Sequence, residues 1–171
     1  MFEFQLITPA DLETLRCWRN HPHNANWFEF KEEITQEAQQ RWYANLDKKN
    51  CWYFTYKIEG HIFAFFHLKR QDQSSKTGEC GLITNPEIQT GSGAILQGSL
   101  KLLEFAFETQ HLNTLRAKVN VLNTAALKYN RDIGFIQQAN ESKQVFCWME
   151  LTKARFIAQK VQLQALIKHI V

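Results

Sequence analysis

The sequence predicts an α+β fold: one central sheet with helices on both faces and a helix at the C-terminal end. Two strand patterns rich in aromatics, Cys51 to Ile58 and His61 to Lys69, are joined through Glu59 and Gly60, a hairpin signal. From Glu79 to Leu151 strand and helix patterns then alternate. At 171 residues with 44% hydrophobic content the chain can bury a real core, and no linker, repeat or low-complexity stretch divides it. Residues 1–171 are therefore read as a single domain, with 152–171 as its terminal helix.

Phe2 to Ile7 alternates as an opening strand. Thr8, with Pro9 at the first helical position, starts a helix to about Trp18, and Arg19-Asn20-His21-Pro22 breaks it. Thr35 to about Lys48 is a second helix, with Ala38, Trp42 and Leu46 on one face. The hairpin follows, then a polar loop from Gln71 to Thr77 and a strand from Glu79 to Thr84. An apolar helix runs to about Thr109, followed by a strand (Thr114 to Val121), a helix (Thr124 to Ile133) and strands near Phe135 to Gln138 and Val145 to Leu151. From Lys153 the stripe Phe156, Ile157, Val161, Leu163, Leu166, Ile167 and Ile170 packs on the domain, with a homodimer contact as the second reading.

Composition narrows the function. A net charge of +3 gives no argument for nucleic acid. Cys17, Cys51, Cys80 and Cys147 form no paired spacing, so reduced thiols in a cytoplasmic protein are expected, with no metal. The N-terminal segment carries no signal-peptide pattern, and no run is apolar enough to span a membrane.

Between Thr84 and the long helix stands Asn85-Pro86, then a loop containing Gly91 and Gly93. These glycines let the backbone approach a ligand, and the N–H groups opening the next helix point into the same space. That combination makes a phosphate cradle; taken alone, the loop reads equally as a strand-to-helix turn that happens to contain two glycines. It is not a P-loop, because Ala94-Ile95-Leu96 follows where Lys-Ser/Thr is needed, and Leu96 defeats a dinucleotide fingerprint.

Thirty residues on lie Asn123, Ala126, Tyr129, Asn130, Arg131, Gly134 and Phe135. Together with the strand–Gly91-x-Gly93–helix element they resemble the GNAT superfamily of acetyl-CoA-dependent N-acetyltransferases, from the first strand to about Leu151. The resemblance implies a mixed sheet of about seven strands and acetyl-CoA as co-substrate, with direct transfer in a ternary complex. It implies that the pantetheine arm pairs with the edge at Leu82, Ile83 and Thr84. The pyrophosphate would rest on Gln89, Thr90, Gly91, Ser92, Gly93 and Ala94, Asn123 would bond the thiol end, and Arg131 would reach a CoA phosphate. Asn123 also suits an N-cap. The loop is one residue shorter than usual, since only Thr90 separates Gln89 from Gly91. Asn130 stands among the cofactor residues where many members carry the tyrosine that protonates the leaving thiolate. Tyr129 lies one residue earlier, about 100° round a helix, so Tyr129 in a shifted helix or a water would serve.

Trp18-Arg19-Asn20-His21-Pro22, then Trp27-Phe28, resembles the amino-sugar branch of that superfamily, in particular the UDP-4-amino-4,6-dideoxy-sugar N-acetyltransferases of pseudaminic acid biosynthesis. The acceptor implied is a small molecule, a UDP-linked amino sugar, bound by Arg19, Asn20, His21, Trp27 and Lys69, with Arg70 and Trp52 nearby. Protein N-terminal or ribosomal-protein acetylation is the alternative, and a non-catalytic acyl-CoA-binding regulator is a third reading. For the amine's proton the candidates are Glu79, which opens the cofactor strand, and His67, whose imidazole ordinarily titrates near neutrality. Each also has a plain reading, as a solvated strand-end acid and as a packed histidine.

Overall fold

The computed structural model describes residues 1–87, 93–139 and 144–168, with the backbone alone at Gly93, Ala94 and Lys168. Strand β1 (Phe2–Leu6) is followed by a 3-10 turn (Pro9–Asp11), α1 (Leu12–Asn20), α2 (Pro22–Ala25) and α3 (Gln36–Ala44). Next come β2 (Cys51–Ile58), β3 (His61–Asp72), β4 (Thr77–Thr84) and α4 (Gly93–Glu104), which a π-turn (Phe105–Thr109) continues. The rest is β5 (Thr114–Asn120), α5 (Thr124–Asp132), β6 (Ile136–Gln137), β7 (Phe146–Thr152) and α6 (Lys153–Lys168). All seven strands form one mixed sheet in the order β1-β2-β3-β4-β5-β7-β6. Among the described residues, no helix is long and apolar enough to cross a membrane.

Local chemistry explains the joints. The Asp11 carboxylate accepts from both the N–H and the hydroxyl of Thr8 at 2.8 Å, fixing the turn that Pro9 begins. The Thr35 hydroxyl caps α3 by accepting from Ala38 N–H at 3.2 Å. Glu59 and Gly60 have φ of +51° and +81°, as a type I′ hairpin turn requires. The second helix stops at Ala44, four residues before the expected Lys48, because the Asn45 side chain donates back to Arg41 O at 2.8 Å. The polar loop after β3 is also shorter than expected, since β3 runs to Asp72.

Alternation along the strands divides the core. On one face, α4, the π-turn, α5 and α6 cover Phe54, Tyr56, Phe66, Leu68 and Met149. On the other, α1 and α3 cover Phe65 and Ile83, with Ile7, Leu12 and Leu15. The apolar stripe of α6 is split. Phe156, Leu163 and Ile167 are buried, while Ile157, Val161 and Leu166 remain 60%, 75% and 46% exposed, and Ile170 lies outside the described residues.

The sheet parts in its middle. β4 and β5, the one parallel pair among the described residues, are matched at Thr77/Thr114, Gly78/Leu115 and Glu79/Arg116 and no further. β3 stays with β4 to Thr84, and β7 stays with β5 to Asn120. Beyond Glu79 the two half-sheets therefore separate, leaving one edge of β4 open.

Gly134 ends α5 with φ +104°, the left-handed stop that follows many helices. Arg155 Nε donates to Gly134 O at 2.7 Å and Gln159 Nε2 to Ile133 O at 3.3 Å, so α6 docks on these terminal carbonyls. A Cβ at Gly134 would run into the Gln159 amide. Gly134→Ala is expected to lose about 1–2 kcal/mol, read in thermal melts as a midpoint roughly 2–8 °C lower.

Candidate functional site

The open edge of β4 has a definite chemistry. Asn85 N–H donates to Phe63 O at 3.1 Å, so 63/85 is a hydrogen-bonded pair of the antiparallel ladder. Every second pair repeats that pattern. The backbone groups of Ile83 and Gly81 are therefore engaged with β3, whereas those of Cys80, Leu82 and Thr84 face the gap. Of these, Thr84 O is already occupied: buried Asn24 donates through Nδ2 to Thr84 O and to Trp18 O, both at 3.0 Å. Among the described residues, the N–H and C=O of Leu82 have no such partner in the gap. The expected edge of Leu82, Ile83 and Thr84 thus narrows to Leu82, since Ile83 turns its backbone to Phe65 and Thr84 O holds Asn24.

On the α1–α3 face two rows of side chains cross β2, β3 and β4: Tyr53–His67–Gly81 and Cys51–Lys69–Glu79. The His67 ring stacks on Tyr53 with centroids 5.4 Å apart. It also lies directly on Gly81, where a Cβ would come within 2.6 Å of Cε1. His67 is half-buried as a residue, yet its Nε2 is sealed from solvent and has no hydrogen-bond partner among the described residues. Burial first, then the charges on Lys69 and Arg19, lower its pKa to about 3. Burial also pushes Tyr53 up to about 12. Histidine's usual titration near neutrality is therefore lost here, and the neutral imidazole is a hydrogen-bonding group rather than a strong base.

Arg19 joins this face from α1, its guanidinium 3.9 Å from the centre of the Phe28 ring, and burial lowers its pKa. Glu79 stands opposite Lys69 in register, but its Oε2 accepts from Gln71 Nε2 at 2.6 Å. Among the described residues no carboxylate lies within ion-pair distance of Arg19 or Lys69. The structure thus brings Arg19, His67, Lys69 and Glu79 to one face, beside the gap.

Other expected residues are placed differently. Asn20 clamps the following segment, donating to Ile34 O at 2.8 Å and accepting from Ile34 N–H at 2.9 Å. His21 caps α2 through Nδ1, and Trp27 is 38% exposed. Arg70 and Trp52 are not on the acceptor face. Strand alternation turns them to the α4 side, where Arg70 bonds Gln110 Oε1 at 3.0 Å and Trp52 packs edge-on against Phe105.

Asn123 caps α5, its Oδ1 accepting from Ala126 N–H at 3.0 Å, while its Nδ2 donates to no described group. Asn130 folds back onto its own helix, donating to Ala126 O at 2.8 Å. Arg131 is exposed in the last turn. Tyr129, a candidate acid, is bonded to a neighbouring helix. Its hydroxyl lies 2.6 Å from Ser99 Oγ, tying α5 to α4, and burial raises its pKa strongly. Gln89, Thr90, Gly91 and Ser92 lie outside the described residues, and Gly93 and Ala94 open the backbone of α4. Sequence reasoning missed Asn24 and Tyr53, whose partners are distant in the chain. It also missed Glu29 and Lys118, an ion pair at 2.6 Å on this face.

The profile of a family described as "Acetyltransferase (GNAT) domain" matches residues 2–136. The chain is 29% identical over 127 residues to acetyltransferase PseH of Campylobacter jejuni subsp. jejuni serotype O:23/36 (strain 81-176), covering 73% of this chain and 76% of that protein. Its fold is similar to that of spermidine N-acetyltransferase from Vibrio cholerae in complex with CoA and spermine. That match has a TM-score of 0.78 at 17% identity, over 91% of this chain and 98% of the other. Aminoglycoside acetyltransferase AAC(6')-Ib in complex with coenzyme A matches with a TM-score of 0.79 at 16% identity, over 94% and 99%.

Two outcomes are expected from the geometry. Tyr129→Phe should keep most of its turnover while losing about 1 kcal/mol of stability, because Ser99 Oγ loses its partner; parallel assays and melts would read both. His67 titrates near 6.5 when unfolded and near 3 when folded, so between those values the unfolded chain holds more protons. Stability should fall as pH drops through that window, by up to about 1.4 kcal/mol per pH unit from this group. Melts of His67→Gln should be flatter than wild type from pH 6.5 down to 4.

Proposed function

The chain belongs to the GNAT acetyltransferase family and is an acetyl-CoA-dependent N-acetyltransferase; from that premise we propose that its acceptor is the amine of a nucleotide-linked amino sugar. One observation carries the proposal. Arg19 and Lys69 flank the acceptor face without a carboxylate in ion-pair reach among the described residues. Two such cations suit a diphosphate, which arginine binds through paired hydrogen bonds. A polycationic amine would meet like charge there. The likeness of the Trp18 to Phe28 segment to the amino-sugar branch supports the same acceptor.

Acetyl-CoA supplies an activated acetyl thioester. The chain's own residues then have separate tasks. Leu82 N–H is a donor in the gap, suited to negative charge developing on a carbonyl oxygen. Asn123 Nδ2 and the exposed Arg131 side chain, neither of which donates to another described residue, would hold the cofactor arm and a phosphate. As the amine forms its new bond to the acetyl carbon and the carbon–sulfur bond breaks, one proton leaves the nitrogen and one reaches the sulfur. Glu79, at the mouth of the gap, is the proposed acceptor of the amine's proton, directly or through a water. Neutral His67, stacked on Tyr53 with its Nε2 sealed, forms part of the uncharged wall behind the acceptor. With Tyr129 engaged by Ser99, water protonates the thiolate, a tolerable leaving group.

The test is acetyl transfer to a UDP-4-amino sugar, to spermidine and to a peptide amine. The UDP-amino sugar is expected to lead in kcat/KM. Arg19→Gln and Lys69→Gln should each raise its KM roughly tenfold, the cost of one charged hydrogen bond. Glu79→Gln should lower kcat about 10²-fold. A preference for spermidine or the peptide would defeat the proposal.

A further inference from the structure

Glu29 and Lys118 meet across the parting of the sheet. Lys118 lies on β5, two residues past the last residue paired with β4, and its Nζ is 2.6 Å from Glu29 Oε1. Of the described ion pairs, this one alone joins the α1–α3 layer to β5. It therefore spans the gap on the face from which an acceptor must approach.

Both ends are held in place. Glu29 follows Phe28, on which Arg19 stacks. Its segment is fastened by the Asn20–Ile34 bonds and by Lys31 Nζ donating to Asn26 O at 2.8 Å. Lys118 Nζ lies over the rings of Phe146 and Trp148, 5.5 and 5.6 Å from their centres. The neighbouring Arg116 is occupied by Glu150.

An ion pair this exposed, with Glu29 at 59% and Lys118 at 33%, contributes little net stability and opens easily. Its carboxylate presents to Lys118 the same chemistry that a phosphate would. We infer that Glu29 is a displaceable counter-ion: the acceptor's diphosphate takes its place on Lys118, which becomes a specificity-determining acceptor contact together with Arg19 and Lys69. The inference rests on the phosphate-bearing acceptor proposed above. It adds that the cleft carries an internal competitor for that phosphate.

Calorimetric titration with UDP, alongside turnover of a UDP-amino sugar, tests it, with coenzyme A binding as the folding control. Lys118→Gln should weaken UDP binding by roughly tenfold, and Lys118→Arg should keep most of it. Glu29→Gln should tighten UDP about threefold or more, because the competing charge is gone. Unchanged UDP affinity in Lys118→Gln, or weaker affinity in Glu29→Gln, would overturn the inference while leaving the acceptor intact. If the wild-type protein neither binds UDP nor acetylates the UDP-amino sugar, the acceptor proposal itself fails and this one with it.

Discussion

Everything at the candidate site depends on one broken ladder. A parallel strand pair in the middle of a sheet is normally buried and continuous, yet β4 and β5 part after Glu79 and Arg116. The parting is tolerable because each strand keeps its other neighbour, so neither half-sheet loses its core. What it leaves exposed is the inner edge of β4, where backbone groups need partners. Asn24 supplies one at Thr84 O, and in doing so ties α1 and α2 to the strand end. The groups of Leu82 find no partner among the described residues, so the open edge is defined as much by what is already satisfied as by what is not.

The two faces of the sheet differ in electrostatics because alternation sorts the side chains. The α4 face carries most of the buried apolar core. On the other, α1 and α3 stop short of β5 and β7, and Arg19, Lys69, Arg116 and Lys118 collect around the parting. Arg116 and Lys118 are paired with Glu150 and Glu29, while the charges on Lys69 and Arg19 exclude a proton from His67 more firmly than burial would alone. The fold itself does not dictate which charges stand on this face: similar folds belong to proteins named for spermidine and for aminoglycosides.

Much of this was legible in the sequence, and the failures have physical reasons. The type I′ turn at Glu59-Gly60, the Pro9 start and the Asn123 cap are local signals, and each appears where its chemistry requires. Helix ends were less certain, because Asn45 cuts α3 short by a side-chain bond that competes with the helix. Arg70, as a basic residue, and Trp52, as an aromatic plane, suit an acceptor by type, but alternation turns Arg70 to the face opposite Lys69 and Trp52 to the face opposite Tyr53. Tyr129 shows the same sensitivity on a helix: one position decides between the cleft and Ser99. Asn24–Thr84 and Glu29–Lys118 join residues 60 and 89 positions apart, and no local pattern announces such contacts.

The absence of a side chain at Gly81 reaches beyond making room. Between the β4 backbone and the His67 ring there is no intervening layer of atoms, so the strand and the imidazole form one mechanical contact. Leu82, whose backbone faces the gap, is the next residue along. A movement of β4 there meets the imidazole directly, with no side chain at position 81 to absorb it. The packing of one ring therefore constrains the stretch of backbone that borders the parting of the sheet.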